Sequence, residues 1–274
     1  MPKSIGNRSP EAIIEAIEEN MVEASVSLGR TEEGVVFRGA DVTWVYTGYP
    51  ALSRVLRARF THDEAEDRIA EISECFRQWD APVLWVVGPS SWPPNLPELL
   101  SGSGFGSSEF WTGMAVDLNA VPKTLPTAAI GRIEAVAEKE AMQTWATVTN
   151  ESWAGEGDDT AVEIFAPENA GGDPRCRYYL AYQNDKPVAR AMSYTRGEIV
   201  GLYWIAAAKE CRDVGFEAAI AQRALADAQN SGARIGVMPS HDGIGTLAAT
   251  LKFTPYCQFK VYSWPPAPLR MSVS

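Results

Sequence analysis

The sequence predicts a mixed α/β protein built from two similar halves, and three observations carry that expectation. Short apolar runs of strand character alternate with amphipathic stretches of helical period along the whole chain. The order apolar strand, loop, short helix, phenylalanine and final strand occurs twice, at Leu100 to Phe105 and again at Leu247 to Phe253, as duplication of one unit would produce. Residues 201–230 read as a strand, a glycine turn and a long alanine-rich helix. Such a turn presents backbone N–H groups and the positive end of a helix dipole, which together suit a phosphate.

In the first half, Ile13, Ile14, Ile17, Met21 and Val22 recur at spacings of three and four among glutamates and predict a helix over 10–28. Strands follow at 34–38 and 42–46. Ile69, Ile72 and Phe76 predict a helix over 62–79, with Thr61 as its cap. An apolar strand at 82–87, a short helix at 95–100 ended by Gly102 and Gly104, and a strand at 110–118 complete this half.

The second half repeats the grammar, with a strand at 130–136, a helix at 139–153 and strands at 178–183, 188–195 and 199–206. The long helix runs from about Val214 to Asn230 and stops at Ser231-Gly232, a glycine cap. A strand at 234–238, a short helix at 243–251 and a strand at 256–264 end it. The segment Asn119 to Thr127 holds two prolines and reads as a linker, so the expected domains are 1–121 and 122–274.

At 274 residues each half is long enough for its own core. A net charge of −11 argues against nucleic acid and anionic membranes, whose phosphates need Lys and Arg, and favours a basic small molecule. Cys75, Cys176, Cys211 and Cys257 are far apart with no histidine beside them, so neither a zinc site nor a disulfide framework is expected. The N-terminal residues lack an apolar run and no stretch has membrane-spanning length, which leads to an expected cytoplasmic location. The tail Trp264-Pro-Pro-Ala-Pro-Leu is a candidate docking segment for a partner subunit, with a homodimer as the assembly considered.

The strand order and the spacing Arg212-x-x-Gly215 resemble the coenzyme-A loop of the GNAT acetyltransferase superfamily, in which Gln or Arg is followed by two residues, Gly, any residue, then Gly or Ala. Here the last position is Glu217, and Asp213 adds a second acid. The likeness covers most of 122–274. It extends to the first half through Trp44, Trp85-Val-Val-Gly-Pro-Ser, Leu99 to Phe105 and Gly113-Met-Ala-Val-Asp-Leu, a degenerate copy without a phosphate loop.

The resemblance implies two tandem GNAT-like domains and transfer of an acetyl or other acyl group from coenzyme A to an amine of a small molecule. It implies that strands 199–206 and 234–238 splay apart to pair with the pantetheine arm. Tyr203, Ile205, Ala206, Arg212, Gly215 and Phe216 would then contact acetyl-CoA or another acyl-CoA, and Tyr203 and Trp204 the substrate. Aligning Leu251-Lys-Phe253 with the family's Leu-Gly-Phe signature puts Ala248 where relatives carry an acidic tyrosine and Lys252 where they carry glycine. The catalytic candidates are therefore His241, oriented by Asp242 or Ser240, Glu198 as a base, and Tyr256 as a substitute acid. Asp158, Asp159, Glu163 and Glu168 could attract an amine. The two acids at the turn keep two alternatives open: other chemistry in the same cleft, or a noncatalytic binding module.

Overall fold

The computed structural model describes residues 5–30, 34–47, 52–125, 131–148, 173–208, 211, 215–241 and 245–266. Among these, the strands are β1 (Val35–Arg38), β2 (Thr43–Tyr46), β3 (Arg54–Leu56), β4 (Val83–Val87), β5 (Gly106–Asp117), β6 (Arg132–Val136), β7 (Cys176–Gln183), β8 (Lys186–Arg196), β9 (Ile199–Ala207), β10 (Ile235–Ser240) and β11 (Thr254–Trp264). The helices are α1 (Pro10–Leu28), α2 (Ala65–Gln78), α3 (Leu96–Gly102), α4 (Lys139–Thr147), α5 (Phe216–Asn230) and α6 (Thr246–Thr250).

The chain forms two compact units that interleave in sequence, where a single division near residue 122 was expected. One gathers Met1–Asn20, Met114–Pro239 and Ile244–Tyr256; the other gathers Met21–Gly113, Ser240–Gly243 and Cys257–Ser274. The difference has a physical source. Residues of α1 supply polar partners to β8 and β9, and the C-terminal part of β11 completes a ladder with β4.

In the first unit the strand order is β5-β10-β9-β8-β7-β6, with β9 and β10 parallel and the pairs β9–β8, β8–β7 and β7–β6 antiparallel. Strand alternation sends Val200 and Leu202 of β9, Ala189 and Ala191 of β8, and Tyr179 and Ala181 of β7 into one core with Phe216, Ile220, Ala224 and Leu225 of α5. Each large apolar side chain buried there contributes ~1.5–3 kcal/mol. The intervening residues face the other way. Tyr178 packs edge-on against Trp145 of α4, whose indole N–H donates to the Ala191 carbonyl at 3.0 Å.

On that second face lies Arg190, a fully buried cation. Its guanidinium donates to the carbonyls of Trp145 (3.2 Å) and Ala146 (3.0 Å) in the last turn of α4, where the helix dipole is negative, and stacks over the Trp145 ring. Loss of hydration pulls its pKa down to about 10, still high enough to keep the charge at neutral pH.

Asn20 occupies the same face, 3% exposed on an otherwise apolar side of α1. A buried amide needs partners. Its Nδ2 donates to the Tyr194 carbonyl at 3.4 Å, and its Oδ1 accepts from the Tyr203 hydroxyl at 2.7 Å. Room for this contact comes from Gly201: a Cβ there would lie 1.9 Å from Asn20 Oδ1 and 2.8 Å from the Tyr203 hydroxyl. Two surface ion pairs, Arg8–Glu198 and Glu19–Arg196, tie the same N-terminal segment to the ends of β9 and β8.

The second unit has the order β1-β2-β3-β4-β11-β5, with β11 antiparallel to β4 from Lys260↔Val87 to Trp264↔Val83. Its core joins Phe60, Ile69, Ile72, Phe76, Trp85, Leu96, Leu100 and Phe105, and Trp85 meets Phe60 and Phe105 edge-on.

The expected elements are present with shifted ends. Strand β3 was not expected: it is three residues long, too short to show alternation. Thr61 does not cap α2; its hydroxyl donates to the Glu64 carboxylate at 2.6 Å, and Glu64 itself stands at the N-cap. Helix α5 begins at Phe216, not Val214, because Gly215 holds a left-handed N-cap with φ +83°. The described part of α4 ends at Thr147; Trp153 and the acids Asp158, Asp159, Glu163 and Glu168 lie outside the described residues.

The repeated tail of the two halves is geometric as well as sequential. The Phe105 N–H donates to the Leu100 carbonyl at 3.0 Å and the Phe253 N–H to the Ala248 carbonyl at 2.9 Å, closing equivalent turns after α3 and α6. The left-handed residue before each phenylalanine is Gly104 at φ +90° in one copy and Lys252 at φ +63° in the other. For lysine that conformation costs ~1–2 kcal/mol. Since Lys252 is exposed, Lys252→Gly should stabilise the protein by ~1 kcal/mol, raising Tm by about 2–4 °C in a thermal melt. Gly201→Ala should cost ~1–3 kcal/mol by driving Asn20 from its place, which calorimetric unfolding would register as a Tm lower by several degrees.

Candidate functional site

Parallel pairing between β9 and β10 covers only Ile199↔Ile235, Val200↔Gly236 and Gly201↔Val237. Beyond it β9 continues to Ala207 and β10 to Ser240 with no further pair between them among the described residues. The ladder to β10 therefore ends at Gly201, and the rest of β9 presents the main-chain groups of that edge to something other than β10.

A bulge directs those groups. Tyr203 pairs with Met192 and Ala206 with Arg190, so Trp204 and Ile205 together oppose Ala191. Trp204 has φ +54°, which for a bulky residue costs about 1–3 kcal/mol and marks a strained position. Tyr203, Trp204 and Ile205 are each partly exposed, whereas Ala206 is buried, and Ile205 leans on the α5 core. Of the residues expected to meet donor or substrate, β9 therefore brings four together at the opening: Tyr203, Trp204, Ile205 and Ala206.

Past the bulge, successive amides again point to opposite edges of the strand. The Ala208 N–H donates to the Val188 carbonyl of β8 at 2.8 Å, so the Ala207 N–H points to the open edge. There it donates to Glu217 Oε1 at 3.1 Å. Glu217 sits in the first turn of α5, where its charge also favours the helix dipole. Gly215 supplies the left-handed turn into α5 and Phe216 is fully buried in the core, so any ligand contact of Phe216 is through its main chain. The N-cap of α5 is Gly215; Arg212 and Asp213 lie outside the described residues.

The proton-transfer candidates belong to different elements: Glu198 precedes β9, Tyr256 is on β11 and His241 follows β10. Six residues at a strand rise of ~3.3 Å put Glu198 ~20 Å along the strand from Trp204. Its carboxylate is held by Arg234 at 2.9 Å and Arg8 at 3.5 Å, while its carbonyl accepts from the N–H groups of Arg234 and Ile235. These bonds anchor the first β9–β10 pairs. Tyr256 is a buried residue of β11, and Ala248 is a core residue of α6.

His241 directly follows β10 and belongs with the second unit. Its Nδ1 lies 2.8 Å from Glu109 Oε2, and its ring rests on Trp111 with centroids 5.0 Å apart. Glu109 of β5 is thus the carboxylate that holds the ring, where Asp242 or Ser240 was expected; Asp242 is outside the described residues. A carboxylate at Nδ1 fixes the tautomer that leaves Nε2 basic, the chemistry of a proton acceptor.

Sequence reasoning missed Asn20 and Glu109. For Asn20 a signal existed, since an amide flanked by Ile17, Met21 and Val22 on an apolar helix face demands a buried partner. Glu109 gave none, because its contact spans 132 positions. Among the described residues no group of His, Cys, Asp and Glu could hold a metal ion, and no helix is long and apolar enough to cross a membrane.

No family model matches the sequence, and no curated protein matches it. Solved structures do. The chain is similar to a GCN5-related N-acetyltransferase from Kribbella flavida, at 16% identity over 92% of this chain and 96% of that one with a TM-score of 0.66. It is similar to another from Sphaerobacter thermophilus, at 13% identity over 95% and 96% with a TM-score of 0.55. A tandem GNAT protein from the clavulanic acid biosynthesis pathway matches at 12% identity over 92% and 94%, with a TM-score of 0.57. Together with the opened β9–β10 ladder and the bulge at Trp204, these likenesses establish that the chain has the fold of the GNAT superfamily.

Proposed function

We propose that the protein is an acyltransferase that moves an acetyl or other acyl group from a pantetheine thioester, acyl-CoA being the reference donor, to an amine of a small molecule. The observation that carries this reading is the end of the β9–β10 ladder at Gly201↔Val237, past which the edge of β9 runs on to Ala207 without a further pair to β10 among the described residues. An extended chain bearing amides can pair with that edge as an added strand, and a pantetheine arm has that chemistry.

The residues fit the arm of such a donor. Main-chain groups of Tyr203, Trp204, Ile205 and Ala206 would hold it, and the donor supplies an activated carbonyl. In transfer, the amine nitrogen bonds to the thioester carbon, the C–S bond breaks, the nitrogen loses a proton and the sulfur gains one. A main-chain N–H near the bulge serves by donating to the thioester oxygen as negative charge grows there. Tyr203 and Trp204, at the mouth of the opening, are assigned to the acceptor. The Tyr203 phenol gives its proton to Asn20, which supports a positioning role over that of an acid. The net charge of −11 supports a cationic amine as acceptor.

A second reading is favoured by Glu217 and by alanine at 248: the fold retained for chemistry that no longer uses acyl-CoA. Titration calorimetry separates the two. Acetyl-CoA should give saturable heat, and at a hundredfold excess over Kd it should stabilise the protein by ~2.7 kcal/mol, moving Tm up by about 5 °C or more. Absence of both heat and shift with acetyl-CoA and with S-acetylpantetheine, each at millimolar concentration, would transfer support to the second reading.

A further inference from the structure

The acyl-transfer reading leaves one contact unexplained. A carboxylate of the protein already occupies a main-chain donor on the edge where the acyl donor would pair. The Ala207 N–H faces that edge, since its neighbour Ala208 bonds across to Val188 of β8, and Glu217 Oε1 accepts from it at 3.1 Å. Glu217 also stands in the first turn of α5, next to the left-handed Gly215. An anion seated at the first turn of α5 would lie beside this carboxylate.

We propose that Glu217 is the specificity-determining residue of the donor site. It selects pantetheine thioesters lacking the nucleotide diphosphate over those that carry it. Two effects with different signatures act together. The hydrogen bond to Ala207 must be given up by any pantetheine arm that pairs along the whole edge, so it weakens all such donors equally. The charge acts only on donors bearing phosphate near α5, because Coulomb repulsion needs a second charge. At separations of a few ångströms in partly solvated surroundings this charge term is worth on the order of tenfold in affinity and is reduced by salt. The inference rests on the acyl-transfer reading, and the measurement below separates the failure of one from the failure of the other.

The test is calorimetric titration of the full chain, the Glu217→Gln variant and the Glu217→Ala variant with two probes, S-acetylpantetheine and acetyl-CoA, at low and high salt. Glutamine keeps an oxygen able to accept from Ala207 and removes the charge; alanine removes both. The parent should bind S-acetylpantetheine at least as tightly as acetyl-CoA. Glu217→Gln should tighten acetyl-CoA about tenfold and S-acetylpantetheine less than twofold, with the difference shrinking as salt rises. Glu217→Ala should tighten both. Thermal melts of the unliganded variants confirm that each is folded. If the ratio of the two affinities is the same in the parent and in Glu217→Gln, Glu217 does not select the donor and this inference falls while acyl transfer stands. If neither probe binds any of the three proteins, the acyl-transfer reading falls and this inference with it.

Discussion

Two parallel strands that stop pairing after three residues set the terms for the rest of the first unit. A sheet interior tolerates no unsatisfied main-chain groups, so an interrupted ladder must be held open and its exposed groups given partners. Both tasks have identifiable residues. Glu198 and Arg234 pin the closed end through side-chain and main-chain bonds, and the bulge at Trp204 comes three residues after the last β9–β10 pair. The strain stored at Trp204 is carried by the packing of β9 against α5 on one side and by the Asn20–Tyr203 bond on the other.

Charged side chains serve the architecture at several places. Glu217 is a structural ligand of the strand end as well as an anion in a helix first turn. A carboxylate hydrogen-bonded to a backbone amide is a strong interaction, so the end of β9 gains local order from it. The His241–Glu109 pair shows the complementary case: a loop imidazole gains a fixed tautomer and an aromatic floor from β5. Arg190 is a third instance of charge used for architecture, closing the last turn of α4 from inside the protein.

Periodicity made most of the fold legible. Helices α1, α2 and α5 and strands β7 to β9 are long enough for a 3.6 or 2.0 repeat to stand out, and the turn into α5 could be read from Gly215. The likeness between the two tails was visible as Leu100 to Phe105 against Leu247 to Phe253, and the equivalent turns explain why. What sequence did not show falls into two kinds. Strand β3 is too short to carry a pattern, and the contacts of Asn20 with Tyr203 and of Glu109 with His241 join residues 183 and 132 positions apart, beyond the reach of any local rule. The candidate site was legible on β9, where chain order alone places neighbours together, and not where its partners come from distant segments.

That wide separation bears on how the protein is made. Asn20 leaves the ribosome long before Tyr203, and at 5–20 residues per second the wait between them is roughly ten to forty seconds. During that interval the Asn20 amide has neither the Tyr194 carbonyl nor the Tyr203 hydroxyl to bond. A contact of such separation closes only after the 183 positions between its partners have been traversed. Positioning of Tyr203 by Asn20 is therefore a late event in synthesis, whatever the order in which the strands themselves pair.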